Sequence, residues 1–320
     1  MEVVRSESRL KLFPIMMFAV VMGLSGLTIT YQKATLWLGF PSIVGETFMY
    51  ITTIVFIVVS IIYIKKFSKY KTAVKNEFLH PIRINFFAAI SISMLMLAII
   101  YKENFPLLSA IFWYPATLLH FYLTMHTISF WINQNQQLDH SNPAWFIPIV
   151  GNILVPVAGV GFADLGLLLY FFSVGIFFWI ILFSVILNRI IFHNQIAVKF
   201  MPTLFILIAP PAVGFIAYFK MFGVLDTFAI MLFNLALFFT ILVAFMYKNF
   251  IKIKFFISWW AFVFPVAAMA VSAMLMYHEN SCLFLLLLSY IMIAAVTIIV
   301  SIVSYQTIVH IIKKEICIQE

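Results

Sequence analysis

The stretch MPTLFILIAPPAVGFIAYF, residues 201–219, holds no charged side chain, yet it carries Pro202, Pro210, Pro211 and Gly214. Its length suits a helix crossing a ~30 Å hydrocarbon layer at ~1.5 Å per residue. Its prolines and glycine are the residues that break such a helix where lipid surrounds it, because the freed backbone groups then find no partner. A segment of this kind belongs inside a bundle, against protein or a water-filled cavity. The next apolar segment, residues 227–247, has neither proline nor glycine and is rich in Phe, Leu and Ile. Together the two predict a hairpin of one kinked inner helix and one straight outer helix.

Working outward, polar clusters divide the whole chain into ten such segments, at about 14–32, 44–64, 84–101, 107–132, 145–162, 166–187, 201–219, 227–247, 256–277 and 283–312. Strands of a membrane barrel would instead alternate over ~10 residues. The 320 residues are 65% hydrophobic and only 9% charged, with a mean hydropathy of +1.11. Soluble domains are nearer one quarter charged, so secreted enzymes, cytosolic proteins and nucleic-acid binders are excluded. Pro14, Pro148, Pro156, Pro202, Pro210, Pro211 and Pro265 fall in odd-numbered segments, and Pro115 in an even one. Gly23, Gly26, Gly151, Gly159, Gly161 and Gly214 are odd as well, against Gly175 in an even segment. The expected fold is all-α: ten transmembrane helices as five repeated hairpins, odd helices inside and even helices outside. On composition alone, the inner helices either enclose a bore or form a solid bundle whose small residues permit close packing.

Sixteen Lys and Arg residues lie on one side of this arrangement: Arg5, Arg9, Lys11, Lys65, Lys66, Lys69, Lys71, Lys75, Arg83, Arg189, Lys199, Lys248, Lys252, Lys254, Lys313 and Lys314. Only Lys33, Lys102 and Lys220 lie on the other. The positive-inside rule therefore puts both termini in the cytoplasm, as an even number of spans requires. The net charge of +8 thus reports orientation, and the basic 65–83 loop reads as a topology signal, with anionic lipid as its alternative contact. The expected division is a cytoplasmic tail 1–13, a membrane domain 14–312 and a cytoplasmic tail 313–320. Residues 1–12, basic before a long apolar run, mimic a signal peptide, but no A-x-A-like site follows and the run reads as a retained first span.

The acids Glu2, Glu7, Glu46, Glu77, Glu103, Asp139, Asp164, Asp226, Glu279, Glu315 and Glu320 all fall in loops, tails or span ends. Proton- and cation-coupled carriers commonly use ionisable residues within the membrane, and membrane enzymes need acids, bases or metal ligands at their substrate. Neither class is favoured. His120 and His126 share one span at a spacing of six, which does not align two ligands on a helix face, and they read as structural. His278 and Glu279 together suit an interfacial cap or a vestibule. Cys282 and Cys317 are too far apart along one helix for a disulfide. No metal, cofactor or enzymatic activity is expected. A bore without internal charge suits small anions better than cations, which need carboxylates or focused carbonyls.

At the odd spans the sequence resembles the tellurite-resistance/dicarboxylate transporter family, which includes bacterial TehA proteins and plant guard-cell slow anion channels. The matching stretches are FPIMMFAVVMGLSGL (Phe13–Leu27), HPIRINFF (His80–Phe87), PAWFIPIVGN (Pro143–Asn152), PTLFILIAPPAVG (Pro202–Gly214) and WAFVFPVAAMA (Trp260–Ala270). The resemblance implies ten helices as five hairpins around a pore, a homotrimer with one pore per subunit, and passage of chloride, nitrate and related anions across the inner, cytoplasmic membrane. It also implies a phenylalanine plug in the ninth helix, which the WAF-x-F pattern places on Phe264. Helical spacing then puts Ala261, Ala268 and Val271 on the face of Phe264. Phe18, Met22, Phe87, Asn152, Pro156, Pro210 and Gly214 are the further pore-wall candidates. Asn152 serves equally well as a helix-bridging hydrogen-bond donor. The family's other implied activity is a carrier or exporter of C4-dicarboxylates, sulfite or tellurite, which remains the alternative.

Overall fold

A computed structural model describes residues 8–193 and 196–317. Arg5, Glu2, Glu7 and Glu320 lie outside the described residues. Ten apolar helices follow one another: α1 (Ile15–Leu38), α2 (Ser42–Lys69), α3 (Arg83–Tyr101), α4 (Pro106–Asn133), α5 (Pro143–Gly159), α6 (Leu165–Phe192), α7 (Val198–Phe222), α8 (Thr227–Phe245), α9 (Ile257–Glu279) and α10 (Leu283–Ile312). All but α5 are long and apolar enough to cross a membrane unaided. α5 is shorter and broken into four pieces, alternating 3-10 and α, with Gly151 at a joint and Pro148 inside the second piece. Each 3-10 residue rises ~2 Å against ~1.5 Å in an α-helix, so α5 reaches farther than its residue count suggests.

Burial separates the helices by parity. In the most apolar stretches of α1, α3, α7 and α9, 78–89% of residues are buried, against 22–39% in α2, α4, α6, α8 and α10. In α5 nearly every residue from Pro143 to Gly159 is buried. Each inner helix packs on the outer helix that follows it, and the inner helices close a ring in the order α1, α3, α5, α7, α9 and back to α1. Exposed Ile54, Leu118, Phe177, Ile241 and Ile291 show the outer layer's apolar outward face, as a helix facing lipid requires.

All five inner helices open with a 3-10 turn at the same end of the bundle: Ile15–Met17, Arg83–Phe87, Pro143–Trp145, Val198–Ile208 and Ile257–Phe262. Both described termini lie at that end too, for the Arg9 guanidinium donates to the carbonyl of Ile316 at 3.3 Å. At the opposite end Asp164 and Asp226 accept from the backbone N–H groups of Leu167 and Ala229, N-capping α6 and α8. These bonds satisfy helix-end donors that otherwise lack partners. The Tyr218 hydroxyl donates to Asp226 as well, and these contacts hold the Asp226 carboxyl below its ordinary range. Gly39 and Gly223, at φ 72° and 67°, terminate α1 and α7 in the left-handed conformation that glycine adopts without penalty.

One acid is buried. Glu77, on the short helix Lys71–Phe78, accepts from the Ile15 N–H at 2.8 Å, the Tyr63 hydroxyl at 3.0 Å and the Lys66 ammonium at 2.6 Å. Its neighbour Lys66 is part of α2, which runs to Lys69 and so past the expected limit of residue 64. Lys66 is therefore turned inward and also donates to the Phe13 carbonyl at 2.7 Å, so it is engaged in the fold and not offered to lipid headgroups.

Candidate anion path

Two cavities follow one another along the axis of the inner ring. The first, about 80 Å³, lies between the terminus-bearing halves of the inner helices and is lined by Met22, Ile92, Pro210, Ala261 and Phe264 among others. The second, about 330 Å³, lies between the opposite halves, with Met96, Ile216, Ala268 and Val271 in its wall. Among the described residues, neither has a lining side chain from an even-numbered helix or an acidic lining side chain. Three residues border both: Leu154 of α5, Val213 of α7 and Phe264 of α9.

Phe264 is the largest of the three and sits at a distinctive point of the backbone. It follows the 3-10 turn Ile257–Phe262 and precedes Pro265. Proline has no N–H to return to the preceding turn, which loosens the helix there. Within Val263–Met276 every residue is buried except Phe264, because its ring faces the space between the cavities. Its backbone is held close to α1: a Cβ on Gly26 would stand 2.9 Å from that of Ala267 and 3.8 Å from the Phe264 ring. Any side chain at Gly26 would push α1 and α9 apart and displace the ring, so the glycine serves helix approach. No aromatic ring partners Phe264 among the described residues.

The other expected wall residues divide. Met22, Pro210 and Ala261 line the first cavity, and Ala268 and Val271 line the second. Phe18, Phe87, Asn152, Pro156 and Gly214 line neither. Phe18 packs edge-on against Phe56 and Tyr63 of α2, and Phe87 against Tyr63 and Phe78. The Asn152 amide donates to the Thr124 hydroxyl of α4 at 2.9 Å and to the Ile149 carbonyl at 2.7 Å, which is the helix-bridging arrangement. Pro156 is buried, and its carbonyl accepts from Val160 at the end of α5. A Cβ on Gly214 would meet Ile176 and Leu232 of the outer helices. Phe86, Leu154 and Val213 border the first cavity. Sequence reasoning did not name Phe86, Leu154 or Val213, although Phe86 and Val213 each neighbour a chosen residue; one α-helical position is a rotation of ~100°.

Three histidines of α4 and α9 contact neighbouring side chains. His120 Nδ1 pairs with the Ser91 hydroxyl at 2.8 Å, joining α4 to α3, and His126 stacks on Phe78 at 4.4 Å. His278 stacks on Trp37 at 5.7 Å. Among the described residues no three of His, Cys, Asp and Glu converge on a metal position.

At the end opposite the termini, Lys33, Lys102 and Lys220 converge on the rim. Lys33 and Lys220 line the second cavity. The Lys102 ammonium donates to the Ala158 carbonyl at 2.7 Å and to that of Val160, and lies 4.6 Å from the centre of the Phe162 ring. Its burial pulls its pKa below the ordinary value. Glu103 pairs with Lys33 at 3.2 Å, and Lys33 first, with Lys220 and Lys102 adding, holds the Glu103 carboxyl below the usual range.

Five inner helices around a divided axis, three of them broken by prolines, wrapped by five apolar outer helices, form the architecture of a membrane permeation protein. The chain matches the SLAC1 family, described as voltage-dependent anion channel, over residues 12–308, and belongs to it. It is 28% identical over 309 residues to the S-type anion channel SLAH2 of Arabidopsis thaliana, covering 93% of this chain and 59% of the relative. It is 27% identical over 279 residues to the guard cell S-type anion channel SLAC1 of the same plant, covering 81% and 49%. With the tellurite resistance protein TehA homolog of Haemophilus influenzae it shares 26% over 271 residues, covering 82% and 81%. The chain thus spans about three fifths of SLAH2 and about half of SLAC1.

Proposed function

We propose that the chain passes small anions, chloride and nitrate among them, through the axis of its inner helices, with Phe264 as the gate. The observation that carries this reading is the partition: Phe264, with Leu154 and Val213, separates two cavities lined by inner helices alone. Anion preference follows from walls without a carboxylate and from lysines at the rim, since a cation entering such a path would meet no compensating charge. The named relatives include anion channels. Both cavities belong to a single chain, so the homotrimer implied by the resemblance would have one path per subunit.

Reconstitution in liposomes tests this reading. Nitrate is expected to pass faster than chloride, because a largely apolar wall replaces a tight hydration shell poorly. Under a potassium chloride gradient the reversal potential should lie near the chloride value; a value near that of potassium overturns the proposal. Flux that depends on an imposed pH gradient would point instead to a coupled carrier.

The same reading places residues 14–312 in the cytoplasmic membrane, with tails 1–13 and 313–320 in the cytoplasm. Cys282 is exposed at the start of α10 and Cys317 lies beyond its other end. An impermeant maleimide applied to intact spheroplasts should modify Cys282 and spare Cys317. Labelling of Cys317 alone would reverse the orientation.

A further inference from the structure

We infer that the larger cavity is a binding site for an organic monoanion, its carboxylate held by Lys220 and Lys33 at the rim and its hydrocarbon body lying against the apolar wall. The side from which the ligand enters rests on the orientation proposed above; the binding itself does not.

The three rim lysines are unequally available. Lys102 is committed to two backbone carbonyls and the Phe162 ring, where it satisfies acceptors that the end of α5 leaves open. Lys33 is bridged to Glu103, whose side chain is 68% exposed, so that pairing is weak and exchangeable. Lys220 faces the cavity and donates to the Val157 carbonyl at 3.2 Å. An ammonium has three donors, and no carboxylate pairs with this one among the described residues. Lys220, facing the cavity with donors to spare, is the rim lysine best placed to meet an anion.

Below the rim the wall changes character. Met96, Ile99, Val213, Ile216, Phe219 and Leu275 surround the cavity. One water needs only ~10–15 Å³ of open space, so about 330 Å³ accommodates an organic body and not merely a bare ion. An inorganic anion gains nothing from such a wall. A chain or ring joined to a carboxylate gains both the charge contact and the removal of apolar surface from water. Trp37, which lines the rim beside Lys33, offers a flat face to that body.

The test uses the purified chain in nanodiscs, with hexanoate as probe and acetate and hexanamide as controls, binding being read by thermal stabilisation and by tryptophan fluorescence. Hexanoate is expected to bind saturably. Affinity should rise about threefold to fourfold for each methylene added from acetate, the factor corresponding to ~0.8 kcal/mol per buried methylene. The uncharged amide should bind at least about tenfold more weakly, as should hexanoate to a folded Lys220→Gln variant. Glu103→Gln, which removes the competing carboxylate, should tighten binding. Equal hexanoate affinity in wild type and Lys220→Gln overturns the site, and so does equal affinity for acetate and hexanoate. Should Lys220→Gln fail to fold, Lys33→Gln decides by the same criteria. A protein that binds hexanoate but passes no anion overturns the permeation reading alone. One that passes nitrate but shows no chain-length dependence overturns this site alone.

Discussion

Phe264→Ala should assemble normally and pass anions at least about tenfold faster than wild type. The ring stands between two cavities, so its removal joins them, and lowering a permeation barrier by only ~1.4 kcal/mol raises a rate about tenfold. If Phe264 were ordinary core, truncation would cost ~3–5 kcal/mol of stability and open nothing. The structure argues for a smaller stability cost, since Phe264 is the one incompletely buried residue of Val263–Met276 and already borders empty space on both sides. Phe255→Ala is the control. Its ring packs on Trp259 at 5.6 Å and on His310 of α10 at 4.4 Å, off the axis, and its loss should leave flux unchanged. Equal, low flux from wild type and a properly assembled Phe264→Ala variant would refute the gate.

The second large effect concerns stability. Glu77 and Lys66 are 4% and 3% exposed, and their 2.6 Å contact fastens the end of α2 and the short helix Lys71–Phe78 to the start of α1. Glu77 also caps α1 through the Ile15 N–H, one of the donors a helix start leaves open. Glu77→Gln keeps the shape and an acceptor but strands the Lys66 ammonium in a buried place. Removing one partner of a buried pair typically costs ~3–5 kcal/mol, whereas removing both charges is far milder. The double variant Lys66→Met/Glu77→Gln should therefore regain most of the loss, as judged by denaturation in detergent or nanodiscs. A Glu77→Gln variant as stable as wild type would show that the pair contributes little.

Glu77 also illustrates a limit of the sequence. It lies in a polar, lysine-rich stretch between two apolar segments, which is how a loop acid looks, and nothing local tells that its helix folds back against α1. The contact with Ile15 joins residues 62 positions apart. The axial residues show a different limit. Ala261, Ala268 and Val271, placed by helical spacing from Phe264, and Pro210 of α7 border the cavities. Phe86 and Val213 border the cavities where their neighbours Phe87 and Gly214 do not, a difference of one residue. The cause is physical: a 3-10 turn advances ~120° per residue and an α-helix ~100°. Each inner helix changes from one to the other near its start, and α5 does so repeatedly. A rotational phase carried across such a junction drifts by ~20° per residue.

What the sequence by itself determined is whatever depends on solvent and on backbone chemistry. Ten apolar segments, nine of them long enough to cross lipid unaided, an even count that returns both ends to one face, and prolines confined almost wholly to alternate segments sufficed to specify five hairpins with the odd helices inside. Lipid imposes that sorting, because a backbone group without a partner costs several kcal/mol there. Only the tertiary structure decided which face of each inner helix meets the axis, that Leu154 and Val213 join Phe264 in dividing it, and that three lysines widely separated in sequence gather at one rim. Those features depend on the rotation of each helix and on contacts between distant residues, and neither is carried by the period or the composition of a single segment.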